Sequence, residues 1–161
     1  MVDALAPKWT LVGFIQRLRA FVKEPSDVPA ALRIGAFIAR VPSILHRTDL
    51  QSALRTLRPG GPGSPRYSFE RIARLRALCL RASFFGARNT CYVRALTLYR
   101  FLDAPDDEVT LHFGIEHRNR GGDRLRGHAW VTLRGELLEG PDEVILGRVR
   151  EIPITRARAN G

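Results

Sequence analysis

The chain has 161 residues, of which 45% are apolar, enough for one globular domain with a sizeable core and with no need of a second domain. Its 26 Lys and Arg against 16 Asp and Glu give a formal charge of +10, which favours an acidic partner such as a peptide, a nucleic acid or a membrane surface without choosing among them. Two cysteines exclude a disulfide framework, the start Met1-Val2-Asp3-Ala4 lacks the basic and apolar blocks of a signal peptide, and arginines interrupt every apolar run, so the expectation is a cytoplasmic protein with no membrane span.

In chain order, Leu11, Phe14, Ile15, Leu18 and Phe21 recur at helical spacing with Gln16, Arg17 and Arg19 opposite, which predicts an amphipathic helix over 9–21. Pro25-Ser26-Asp27 breaks it. Pro29 suits the first turn of a second helix carrying Leu32, Ala36, Phe37 and Val41, which Pro42 bends or ends. A third helical stretch runs from about Thr48 through Leu50, Leu54 and Leu57 to Arg58-Pro59. The run Pro59-Gly60-Gly61-Pro62-Gly63-Ser64-Pro65 holds neither helix nor strand. Residues 1–58 therefore read as a helical N-terminal region and 59–67 as a linker inside the same domain.

Past the linker, Phe69, Ile72, Ala73, Leu75, Ala77 and Leu80 describe an apolar helix ending near Gly86, with Cys79 inside it as a core residue. Gly86 and the polar Arg88-Asn89-Thr90 then interrupt the helical pattern, and a new one begins at Cys91 and closes at Asp103-Ala104-Pro105. After it the period changes to two. Val109, Leu111, Phe113 and Ile115 lie on one side of a strand, with Thr110, His112 and Gly114 on the other. A polar loop, 119–123, leads to a second strand over 127–133. Arg134-Gly135 turns the chain into a hairpin partner, Glu136 to Glu139, and Val144 to Ile154 adds a short strand. Residues 68–155 thus form an α+β core, and 156–161 read as a flexible tail.

Two residues carry candidate chemistry. Cys91 falls in the first turn of its helix, where Asn89 or Thr90 can cap, so its sulfur faces free backbone N–H groups and the positive end of the helix dipole, a setting typical of reactive thiols. His128 lies on the strand over 127–133, sharing a face with Trp130 and Thr132, from which the imidazole can point across at a helix end. Taken alone each has an ordinary structural reading, a small buried hydrophobe and a hydrogen-bonded imidazole. His112 and His117 do not make a recognised ligand pattern and are read as surface residues; no metal and no cofactor is expected.

The sequence Cys91-Tyr92-Val93-Arg94-Ala95-Leu96-Thr97-Leu98 resembles the Cys-x-x-Arg-Ser/Ala-Leu-x-Leu signature of the lasso-peptide maturation B proteins, and His128-Ala129-Trp130-Val131 is similar to their His-Ala-Trp-Val segment. The resemblance runs from about residue 69 to 144, with Tyr92 where Leu is common and Gly127 where Ala is common. It implies a transglutaminase-like, papain-like core whose catalytic helix packs on a small antiparallel sheet. It also implies a cysteine peptidase that removes the leader from a ribosomally made precursor through a Cys-His-Asp triad. Cys91 would be the nucleophile, His128 the base and Asp142, in Gly140-Pro141-Asp142, the residue that orients His128. Glu139 is the rival for the third place, since an unbroken two-residue hairpin pairs it with Trp130 on the face of His128. The Cys91 N–H is a natural oxyanion donor. Implied partners are the precursor peptide, a separate leader-recognition protein of winged-helix type and a lasso cyclase, without nucleic acid. The alternatives are a basic helical module that binds nucleic acid and an acyl-transferring enzyme of the same superfamily.

Overall fold

The switch from helical to alternating period after residue 105 is realised as an α+β architecture. It is seen in a computed structural model that describes residues 22–47, 52, 64–81, 90–117, 125–140 and 149–156. Among these, three helices precede a four-stranded sheet: α1 (Asp27–Arg47), α2 (Phe69–Arg81), α3 (Cys91–Phe101), β1 (Val109–His117), β2 (Leu125–Leu133), β3 (Glu136–Glu139) and β4 (Val149–Thr155). The sheet order is β3-β2-β1-β4 and every pairing is antiparallel. The helices expected over 9–21 and from Thr48 lie, apart from Ser52, outside the described residues.

The helices follow their apolar spacing. In α1, Ile34, Phe37, Ile38 and Val41 are buried and Ile44 packs behind them. That continuous stripe explains why Pro42 does not end the helix. Its missing hydrogen bond and its ring cost about 3 kcal/mol in a helix interior, which burial of several large side chains, at about 1.5–3 kcal/mol each, outweighs. The α2 helix buries Ile72, Leu75, Arg76 and Cys79. The α3 helix buries all but three of its positions after Tyr92's neighbour Cys91, among them Val93, Leu96, Leu98, Tyr99 and Phe101. Phe37 meets Phe101 edge-on with ring centroids 5.4 Å apart, which ties α1 to the end of α3.

The β1–β2 ladder pairs Val109, Leu111 and Phe113 with Leu133, Val131 and Ala129, and these six share the face that α3 covers. The Arg134-Gly135 turn has positive φ at both residues, 53° and 83°, as a two-residue hairpin of this twist requires. β3, however, does not pair straight. Thr132 pairs with Leu137 but Val131 pairs with Glu139, so Leu138 is an extra residue in the strand.

Two segments read as loose are docked. Tyr67, at the end of the linker, is buried and bridges to Leu102, while Arg66 reaches Asp106 at 2.9 Å. Arg156, placed in the tail by its sequence, is 1% exposed, and its guanidinium donates to the carbonyls of Tyr99, Leu102 and Ala104 and to Asp106. Those carbonyls end α3 and its following turn, where acceptors have no helical partner, so both terminal nitrogens of the buried guanidinium find acceptors there. Burial lowers the Arg156 pKa, against the contribution of Asp106. Residues 157–161 lie outside the described residues.

Candidate active site

Cys91 is the first residue of α3, and Thr90 is its N-cap with extended backbone, φ −106° and ψ 158°. The Thr90 hydroxyl accepts from the Val93 N–H at 3.3 Å, a cap worth about 1 kcal/mol. The sulfur is half-buried and donates to the carbonyl of Gly127 at 3.8 Å. That carbonyl belongs to the peptide joining Gly127 to His128, so the helix start and the histidine strand meet at this point.

Neighbouring side chains shape the junction. Tyr92 stacks on Phe113, with centroids 5.9 Å apart and planes 29° apart. Burial, followed by the charge of the adjacent Cys91, raises the Tyr92 pKa above its ordinary value. Gly127 leaves room for this ring: a Cβ there would lie 1.9 Å from the Tyr92 hydroxyl. Neither residue stood out from the chemistry of the sequence. The available signal was a glycine inside an alternating strand, which often marks close approach of another group.

His128 pairs with Gly114 in the β1–β2 ladder. Alternation places it with Trp130 and Thr132, on the face opposite Ala129 and Val131. It is half-buried and its Nε2 is shielded from solvent. On the same face Trp130 is 3% exposed and stacks on His112 at 5.3 Å, nearly parallel, while the His112 Nε2 meets the Thr132 hydroxyl at 2.9 Å. His112 is therefore not the solvated surface residue its sequence implies. The side chain of His117 lies outside the description. Among the described residues no group of three or more potential ligands gathers to hold a metal.

The two candidates for the acid separate. The extra residue at Leu138 turns Glu139 onto the helix-facing side with Val131, away from His128, which corrects the pairing with Trp130 expected from an unbroken hairpin. Its carboxylate is taken up by Arg76 of α2 through both oxygens, at 2.8 and 2.7 Å, and approaches Arg94 of α3 at 3.4 Å. Asp142 lies outside the described residues. The described chain before it ends at Gly140, where a Cβ would come within 2.8 Å of the Trp130 Cβ. The chain thus leaves β3 pressed against Trp130, on the face His128 shares.

Cys79 is a buried thiol that donates to the Ala31 carbonyl at 3.4 Å, and burial pushes its pKa up to about 11, as suits a core residue. No described helix is long and apolar enough to cross a membrane. The family model of the transglutaminase-like superfamily matches residues 26–148, from the start of α1 to beyond β3. No curated protein and no solved structure matches the chain. With that match over most of its length, and with the three helices and antiparallel sheet described above, the chain belongs to the transglutaminase-like superfamily.

Proposed function

We propose that the chain is a cysteine peptidase that removes the leader from a lasso-peptide precursor, with Cys91 as nucleophile, His128 as base and Asp142 as the residue that orients His128. The observation that carries this reading is the Cys91 sulfur, in the first turn of α3, resting on the peptide that leads into His128. The narrower assignment to lasso-peptide maturation is supported by the Cys91 to Leu98 and His128 to Val131 sequences.

In this mechanism the proton that the Cys91 thiol directs at the Gly127 carbonyl passes to the His128 imidazole, and the thiolate adds to the scissile carbonyl. The developing oxyanion lies against the Cys91 N–H at the start of α3, which has no helical acceptor. Imidazolium then gives the proton to the leaving amine, and water, activated by the neutral ring, hydrolyses the thioester. Glu139 is held by Arg76 on the helix-facing side, away from His128, which favours Asp142 over Glu139 as orienter. An acyl-transferring enzyme would share every step up to the thioester.

The nucleic-acid alternative is weakened by where the arginines spend their charge. Arg66, Arg71, Arg74, Arg76 and Arg156 are ion-paired with Asp27, Asp106 or Glu139 rather than arrayed on a free face. The proposed partners are the precursor, a separate winged-helix recognition protein that delivers it, and a cyclase that acts on the released core peptide. Incubation of the chain with a precursor and its recognition protein, followed by mass spectrometry, tests the reading. Leader release that is lost in Cys91→Ala is expected; release that survives the substitution contradicts it.

A further inference from the structure

The contact between Tyr92 and Gly127 lies where the start of α3 meets the peptide that leads into His128. Tyr92 follows Cys91 in the first turn of α3, and Gly127 precedes His128 in β2. The phenol ring stacks on Phe113, and its hydroxyl end lies against the bare α-carbon of Gly127. No side chain fits at position 127 while the phenol is there. The hydroxyl would be 1.9 Å from a Cβ, and the next ring atom, Cζ, 3.1 Å from it. The carbonyl of the same glycine receives the Cys91 sulfur. A displacement of β2 to relieve a clash at Gly127 therefore moves the acceptor of the thiol and the peptide of His128 together.

We propose that Tyr92 is a positioning residue of the Cys91 site, its phenol seated in the space that only glycine leaves at position 127 and fixing the strand end of His128 against the helix start of Cys91. This role rests on the catalytic reading of Cys91 given above. It makes positions 92 and 127 one unit, so that each tolerates change only when the other changes with it. The hydroxyl is the atom that forbids a Cβ, and its removal leaves a nearest contact of 3.1 Å, tight but within the reach of small adjustments.

The test uses the full chain and iodoacetamide, with Cys91 and Cys79 adducts resolved by peptide mapping and the alkylation rate followed against pH. Gly127→Ala is expected to slow Cys91 alkylation by roughly tenfold or more and to move its pH profile, and adding Tyr92→Phe to recover most of that loss, a coupling of the size found between contacting residues. A Gly127→Ala protein with the wild-type profile, or a double variant no better than Gly127→Ala, overturns the positioning role. If Gly127→Ala does not fold, Tyr92→Leu replaces it. This change removes the ring from Phe113 and Gly127, and an unaltered Cys91 profile in that variant overturns the role equally. Merely structural packing would lower the melting temperature without moving the profile of the folded thiol. Wild-type Cys91 reacting no faster than a free cysteine sinks the catalytic reading itself, whereas a fast thiol indifferent to positions 92 and 127 sinks only this inference.

Discussion

Glu139 and Asp142 lie three positions apart, and the extra residue just before Glu139 decides what the Glu139 carboxylate meets. Leu138 breaks the pairing, Glu139 turns to Arg76 and Arg94, and Gly140 crosses Trp130. The consequence is an opposite signature for the two substitutions. Glu139→Gln leaves the nearly buried Arg76 short of a counter-charge and is expected to cost about 1–3 kcal/mol in denaturant unfolding, with turnover of the folded protein changed only a few-fold. Asp142→Asn is expected to leave stability nearly unchanged and to lower turnover by up to about 10⁴-fold, as loss of an imidazole-orienting acid does. Turnover lost on changing Glu139 and retained on changing Asp142 would reverse the assignment. The sequence Glu136-Leu137-Leu138-Glu139 conceals this, because an extra residue in a short strand leaves no mark on composition or alternation. The Tyr92 and Gly127 departures from the resembled motif are equally opaque one at a time. Only the fold shows that the Tyr92 phenol occupies the space a side chain at position 127 would need.

At the level of elements, the period changes placed α2, α3, β1, β2 and the hairpin close to where they stand, and of the two candidate caps of α3, Asn89 and Thr90, the structure uses Thr90. What lay beyond local pattern were the ties between elements. Asp27 is the clearest. Fully buried at the start of α1, it accepts from the main chain of Lys23 and Glu24 and from Arg71 and Arg74 of α2, at 2.8 and 2.7 Å for the two arginines. Burial alone would raise its pKa, but the Arg74 hydrogen bond, those from the Lys23 and Glu24 N–H groups, and the Arg74 charge together bring it down to about 2, from an ordinary 3.8. A carboxyl whose pKa is lower folded than unfolded stabilises the fold fully above pH 4 or so, and that contribution, about 2 kcal/mol, disappears as pH falls from there toward 2. Urea midpoints measured across this window should fall in the wild type and fall less in Asp27→Asn. Identical slopes in the two proteins would show that the clamp between α1 and α2 does not depend on the ionised carboxylate.

For the whole molecule, the helices and the sheet together place the start of α3 against one end of β2. The α3 helix is gripped at its far end by Arg156, which returns from β4 to the carbonyls of Tyr99, Leu102 and Ala104, and by Tyr67, which bridges to Leu102. A basic residue after the last strand reads as tail because its acceptors are about 50 residues away in the chain, at a helix end that sequence alone does not show to be open. With its far end and its sheet face fixed, the near end of α3 meets β2 at the Gly127 peptide, and the chemistry proposed here depends on the His128 imidazole acting on the sulfur at that place. The most direct measurement is the rate of Cys91 alkylation by iodoacetamide against pH in the wild type and in His128→Ala. A thiol activated by its histidine remains reactive below pH 7 in the wild type and becomes slow there, regaining speed only toward alkaline pH, in the variant. Superimposable profiles for the two proteins would contradict the account.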